Sequence, residues 1–136
     1  MIEYLLDTNI CIYLIKQCPP EVFKRFQQIQ LQQLHIPTIT VFELYYGIQK
    51  NNSHRRNLSA LENFIAPLTV VDFSLEAAKK VAQIRDTLQK KGTPIGPYDI
   101  QIAAIALSLN MVLLTNNTGE FERVKGLKLE NWVSIS

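Results

Sequence analysis

Four short apolar runs punctuate the chain: IEYLL at 2–6, LHIP at 34–37, LTVVDF at 68–73 and MVLLT at 111–115. Stretches with helical spacing separate them. Strands that are apolar on both faces must be covered on both, and helices laid over a parallel sheet do this. The expected fold is α/β, with three layers α/β/α around a central, mostly parallel sheet of four to five strands. Helices are predicted at 8–17, from Pro19-Pro20 to about 30, at 38–49 behind a Thr38 cap, at 58–65, from Ser74 to 91, and at 99–110. Residues 51–56 read as a connection and 92–97 as a loop. Phe121 falls in a short helical turn, and 127–129 reads as an edge strand.

The length of 136 residues suits one domain spanning 1–136, and 47% hydrophobic residues argue against disorder. The formal net charge is +2, from 14 Lys+Arg against 12 Asp+Glu, which is too mild to signal a nucleic-acid binder by itself. Cys11 and Cys18 match no zinc spacing and read as reduced thiols in an intracellular, cytoplasmic protein. No signal peptide or membrane span is expected.

Charge is scarce, at 19% of residues, so its placement is informative. Asp99 is the single formal charge between Gly92 and Gly119, and Glu43 the single one between Phe26 and Gln49. Thr40, Glu43, Gly47 and Lys50 form one narrow polar stripe on an otherwise apolar helix. Asp7 directly follows the first strand, and Glu120 lies just past MVLLT. In a parallel sheet these positions share the carboxyl edge, where ligands bind. Each acid alone has a local explanation. Asp7 and Asp99 could cap helices, Glu43 could be a paired core acid, and Glu120 could face water.

Together they raise a different problem. Two carboxylates about 4 Å apart repel by roughly 4 kcal/mol at an effective dielectric of about 20. No Lys or Arg lies within the runs that hold Asp99 and Glu43. An all-oxygen set of this kind suits Mg²⁺ or Mn²⁺ rather than zinc, and such an ion commonly binds phosphate as well. The expectation is that Asp7, Glu43, Asp99 and Glu120 meet around a divalent ion and serve phosphodiester cleavage. His35 and His54 fall outside these segments and read as structural or surface residues. A metal-dependent phosphatase, a flap-type DNA nuclease, a receiver-like module and a pure binding partner remain alternatives.

LLDTNI (5–10), TVFELYYG (40–47), IGPYDIQIAAIA (95–106) and LLTNNTGEFERVKGLKLENW (113–132) resemble the PIN-domain ribonucleases, above all the VapC toxins of toxin–antitoxin pairs. The resemblance runs along essentially the whole chain. It implies a PIN-like fold and a Mg²⁺- or Mn²⁺-dependent endoribonuclease. Asp7, Glu43, Asp99 and Glu120 match the acidic quartet, and Asn9, Thr115 and Asn117 match its supporting residues. Many PIN domains carry an aspartate after the fourth strand. Here Thr115-Asn116-Asn117 stands in its place, as in the VapC subset where the glutamate takes the acidic role. The family further implies a homodimer and a VapB antitoxin whose tail often places an arginine among the acids. It also implies structured RNA targets, often a tRNA anticodon stem-loop.

RNA must be held beside a pocket that repels it. Arg85, Lys90 and Lys91 lead into the loop before Asp99, and Lys50, Arg55 and Arg56 follow the Glu43 helix, so these are candidate phosphate contacts. Tyr98 is a candidate for stacking on an unpaired base. The low net charge predicts a modest dependence of binding on salt.

Overall fold

The computed structural model describes residues 1–50 and 54–133, with the side chains of His54 and Arg55 outside the description. Five strands alternate with helices: β1 (Tyr4–Leu6), α1 (Thr8–Lys16), α2 (Pro20–Gln27), a 3-10 turn (Leu31–Gln33), β2 (Leu34–Pro37), α3 (Thr38–Gln49) and α4 (His54–Ile65). There follow β3 (Thr69–Val71), α5 (Leu75–Lys90), α6 (Pro97–Leu109), β4 (Val112–Leu114), α7 (Thr118–Phe121) and β5 (Leu129–Glu130). The sheet order is β3-β2-β1-β4-β5, and every pairing is parallel.

The period-2 alternation of β1 divides the core. Leu5 and Leu113 belong to one apolar cluster, with residues of α5, α6 and α7, while Tyr4, Leu6 and Leu114 belong to the other, with α1, α2, α3 and α4. Thus β1 and β4 are apolar on both faces because both faces are covered. The chain builds outward from β1 through β2 to β3, then returns to lay β4 and β5 on the other side. The strand order therefore reverses between β1 and β4, where an open parallel sheet leaves a crevice at its carboxyl edge.

Boundaries differ from expectation where the chemistry of the first turn was misread. Pro97 opens α6, two residues before the expected start at Asp99, because proline at the first helical position forfeits only an amide that has no partner anyway. Asp99 consequently lies inside the first turn and does not cap it. Thr38 likewise is the first residue of α3, with Pro37 at the cap position and no side-chain cap bond. Helix α4 begins at His54 rather than 58: its apolar periodicity starts at Leu58, but its first turn is polar. The rest of the expected 51–56 connection lies outside the described residues. Strand β3 is shorter than 68–73, α2 stops at Gln27, and β5 is displaced to Leu129–Glu130.

Cys11 is buried and Cys18 exposed, both as free thiols, and burial pushes the Cys11 thiol well above its ordinary value. His35 is buried in β2 beside the Tyr4 carbonyl, a structural position. Among the described residues, no helix is long and apolar enough to cross a membrane.

Candidate metal centre

Asp7 stands at the β1/β4 crevice. Its Oδ1 accepts from the Ile10 amide at 2.9 Å, so it does cap α1. Its Oδ2 accepts from the Thr115 hydroxyl, just past β4, and Thr115 Oγ1 in turn accepts from the Asn117 amide at 2.9 Å. Asp7 and Thr115 are both buried. Burial raises the Asp7 pKa, the bonds from Thr115 and Ile10 oppose the rise, and the charge of Glu43 adds to it.

Glu43 reaches the same edge from α3, where its Oε1 accepts from the Thr8 hydroxyl at 2.8 Å. Glu120, on α7, is held on both oxygens: Asn117 Nδ2 donates at 2.6 Å and the Gly96 amide at 3.2 Å. The hydrogen bond from Asn117 is the main reason its pKa falls. Asp99 behaves oppositely. Partial burial, then the charge and hydrogen bond of Glu120, then the charges of Asp7 and Glu43, raise it from 3.8 to about 6. The two shifts run in opposite directions, so a proton in this pair favours Asp99 over Glu120.

The four predicted acids therefore come within electrostatic reach of one another, carried by α1, α3, α6 and α7. They do not yet converge on one point. Among the described residues, no three His, Cys, Asp or Glu side chains form a ready coordination group. Carboxylates without a cation repel, and here Asp7, Glu43 and Glu120 each rest on neutral donors instead. By chemistry the set fits an oxygen-ligated divalent ion. It is all oxygen, and neither ion pair among the described residues involves any of the four acids.

A scan of the sequence against family models matches the PIN domain over residues 4–127. Curated relatives include the tRNA(fMet)-specific endonuclease VapC of Salmonella typhimurium, 44% identical over 97% of this chain and 99% of that protein. Ribonuclease VapC2 of Haemophilus influenzae (strain Rd) is 44% identical over 98% of this chain and 100% of its own length. This chain belongs to the VapC group of PIN domains. Solved structures agree. The chain matches one in a DNA-bound VapBC complex from Salmonella typhimurium with a TM-score of 0.90 at 44% identity, covering 98% of this chain and 100% of that one. A Rickettsia felis VapBC2 complex bound to promoter DNA gives 0.88 at 36% identity, covering 98% and 100%.

The supporting residues of this VapC-group chain divide. Thr115 and Asn117 contact the acids as described, whereas Asn9 is exposed and makes no hydrogen bond to them among the described residues. The hydroxyl that does so from this segment is Thr8, which sequence reasoning passed over although it directly follows Asp7. The Gly96 amide was also missed, because a backbone donor leaves no trace in the sequence.

The candidate RNA contacts divide too. Tyr98 is 46% exposed, and its ring meets Phe42 edge-on at 5.1 Å, tying α6 to α3 beside the acids. The Lys50 ammonium lies 4.6 Å from the Tyr46 ring centroid. Arg85 is exposed beside a groove of about 280 Å³ that includes Pro94 of the loop before α6 and Pro97 at its start. Lys90 is paired with Asp86 at 2.9 Å, which lessens its claim on a phosphate. Lys91 and Arg56 are exposed. The Arg55 and His54 side chains lie outside the described residues.

Proposed function

We propose that this protein is a Mg²⁺- or Mn²⁺-dependent endoribonuclease of the VapC type that cleaves structured RNA, tRNA included. Asp7, Glu43, Asp99 and Glu120 are its metal-binding and catalytic residues. The observation that carries the reading is the meeting of four carboxylates from separate segments at the carboxyl edge of the sheet, none of them in either of the ion pairs found among the described residues. Relatives named as tRNA(fMet)-specific endonuclease and ribonuclease, at 44% identity over nearly the full chain, support the choice of RNA.

When bound, a divalent ion supplies the Lewis acidity that a phosphodiester and an attacking water require. Asp7, fixed by Ile10 and Thr115, holds its carboxylate still across the β1/β4 crevice. Glu43 and Glu120 present carboxylates from the two flanks, Glu120 steered by Asn117. Asp99, crowded by the charges of Glu120, Asp7 and Glu43, would give the ion a fourth carboxylate, and a positive charge there would favour its ionised form.

The VapBC complexes among the structural neighbours support a VapB-type antitoxin as partner. Its seat is a groove of about 310 Å³ whose walls include Ile12, Ile15, Leu44, Ile48 and Leu61, and which opens beside Glu43. An apolar segment lying there would bring its neighbours to the acids. Family resemblance also leads us to propose a homodimer.

The test is cleavage of a tRNA or its anticodon stem-loop with Mn²⁺. Asp7→Asn and Asp99→Asn are expected to abolish cutting while the circular-dichroism spectrum stays native. Persistent cleavage in both variants refutes the assignment.

A further inference from the structure

A second groove, of about 260 Å³, lies where α5 meets the segment after α7, on the other side of Leu88 from the Arg85 groove. Its walls carry three cations, Lys80, Arg123 and Lys125, with Gln83 and Thr87, and no acid. Lys80 is half-buried, while Arg123 and Lys125 are exposed. Among the described residues, neither lysine makes a hydrogen bond or ion pair, and the Arg123 guanidinium donates to the Pro94 carbonyl at 3.1 Å. The physical argument used for the acids applies with the sign reversed. Like charges lining one concave surface without a counter-charge leave room for an anion.

The location says which anion. Arg123 is one helical turn beyond Glu120, and its charge contributes to holding the Glu120 pKa down. Its bond to Pro94 joins the groove wall to the loop that leads into Asp99. Arg123 therefore links one wall of the groove to the acidic centre. We propose that Lys80, Arg123 and Lys125 hold the RNA phosphate backbone where it leaves that centre. The acids repel the strand they cut, so affinity must come from cations on its flanks. This inference rests on the ribonuclease reading and adds a binding surface that the sequence-derived candidates, Arg85, Lys90, Lys91, Lys50, Arg55 and Arg56, do not include.

The test uses Lys80→Gln with Lys125→Gln, sparing Arg123 because of its effect on Glu120. Lys24→Gln is the control, since α2 belongs to the helix layer across the sheet. Binding of a fluorescent stem-loop RNA is titrated by anisotropy at stepped KCl in metal-free buffer, and initial cleavage rates are measured with Mn²⁺. The double variant is expected to show a log Kd–log[KCl] slope shallower by about 0.9 for each phosphate that is no longer neutralised, with a raised KM and an unchanged kcat. The control should leave all three as they are. An unaltered slope and KM in the double variant overturns the groove while wild-type cleavage, abolished in Asp99→Asn, leaves the nuclease reading standing. Weakened binding of an acidic antitoxin peptide with unaltered RNA binding also overturns it. If wild-type protein does not cut RNA at all, the nuclease reading fails by itself, and the anisotropy titration still decides the groove.

Discussion

Replacing Asp99 by asparagine should make the metal-free protein more stable while making it inactive. The rise of the Asp99 pKa from 3.8 to about 6 corresponds to about 3 kcal/mol between its protonated and ionised forms at neutral pH. Because Asp99 is only partly buried, solvent screening reduces this to about 1 kcal/mol. The folded state holds the proton more tightly than the unfolded chain. Its advantage is complete below about pH 4 and is lost as the pH rises through 6, leaving an ionised carboxylate among like charges. Asparagine keeps the shape without the charge, so Asp99→Asn should gain about 1 kcal/mol at pH 7.5. For a domain of this size that is about 4 °C in melting temperature. Melting in EDTA, followed by circular dichroism at pH 4 and pH 7.5, reads this directly, and the difference should vanish at the lower pH. Manganese should then reverse the ranking at pH 7.5. At a hundredfold excess over Kd it adds about 2.7 kcal/mol to wild type and much less to the variant. A variant that melts at or below wild type in EDTA at pH 7.5 would refute the idea that these carboxylates burden one another.

Three more outcomes follow from single side chains. Thr115→Val removes the donor to buried Asp7 and should cost about 1–3 kcal/mol by urea unfolding at neutral pH. Since that bond opposes the rise in the Asp7 pKa, the loss should ease as acid protonates Asp7, and the acidic limb of the pH–rate profile should move upward. Asn117→Ala frees Glu120, which is expected to regain a higher pKa; cleavage should fall with little change in melting temperature, because Glu120 lies toward solvent. Ile105→Ala opens a cavity beneath the sheet and should cost about 2–5 kcal/mol by chemical denaturation, with KM for RNA unaltered.

The layered fold could be read from the sequence because β1 and β4 are apolar on consecutive residues, and only a sheet covered twice tolerates that. The acids were conspicuous because the segments around Glu43 and Asp99 contain no other charge. What stayed hidden depended on partners distant in sequence or on backbone groups. That Asp99 lies close enough to Glu120 for their charges to interact depends on Pro97 starting α6 two residues early, which puts Asp99 inside the first turn and out of a capping role. That Thr8 rather than Asn9 touches an acid depends on the helical phase of α1. The polar first turn of α4 was invisible because periodicity reports only the buried face. The basic groove joins α5 to a segment some forty residues later, so neither charge pattern singled it out alone.

The hydrogen bond between Asp7 and Thr115 spans almost the whole polypeptide, and β4 enters the sheet beside β1 late in the chain. A nascent chain emerging from the ribosome thus carries Asp7 long before the strand that anchors it. Whatever chemistry the carboxyl edge performs, translation must be nearly finished before it can begin. A truncated product that ends before β4 should therefore be harmless to the cell making it.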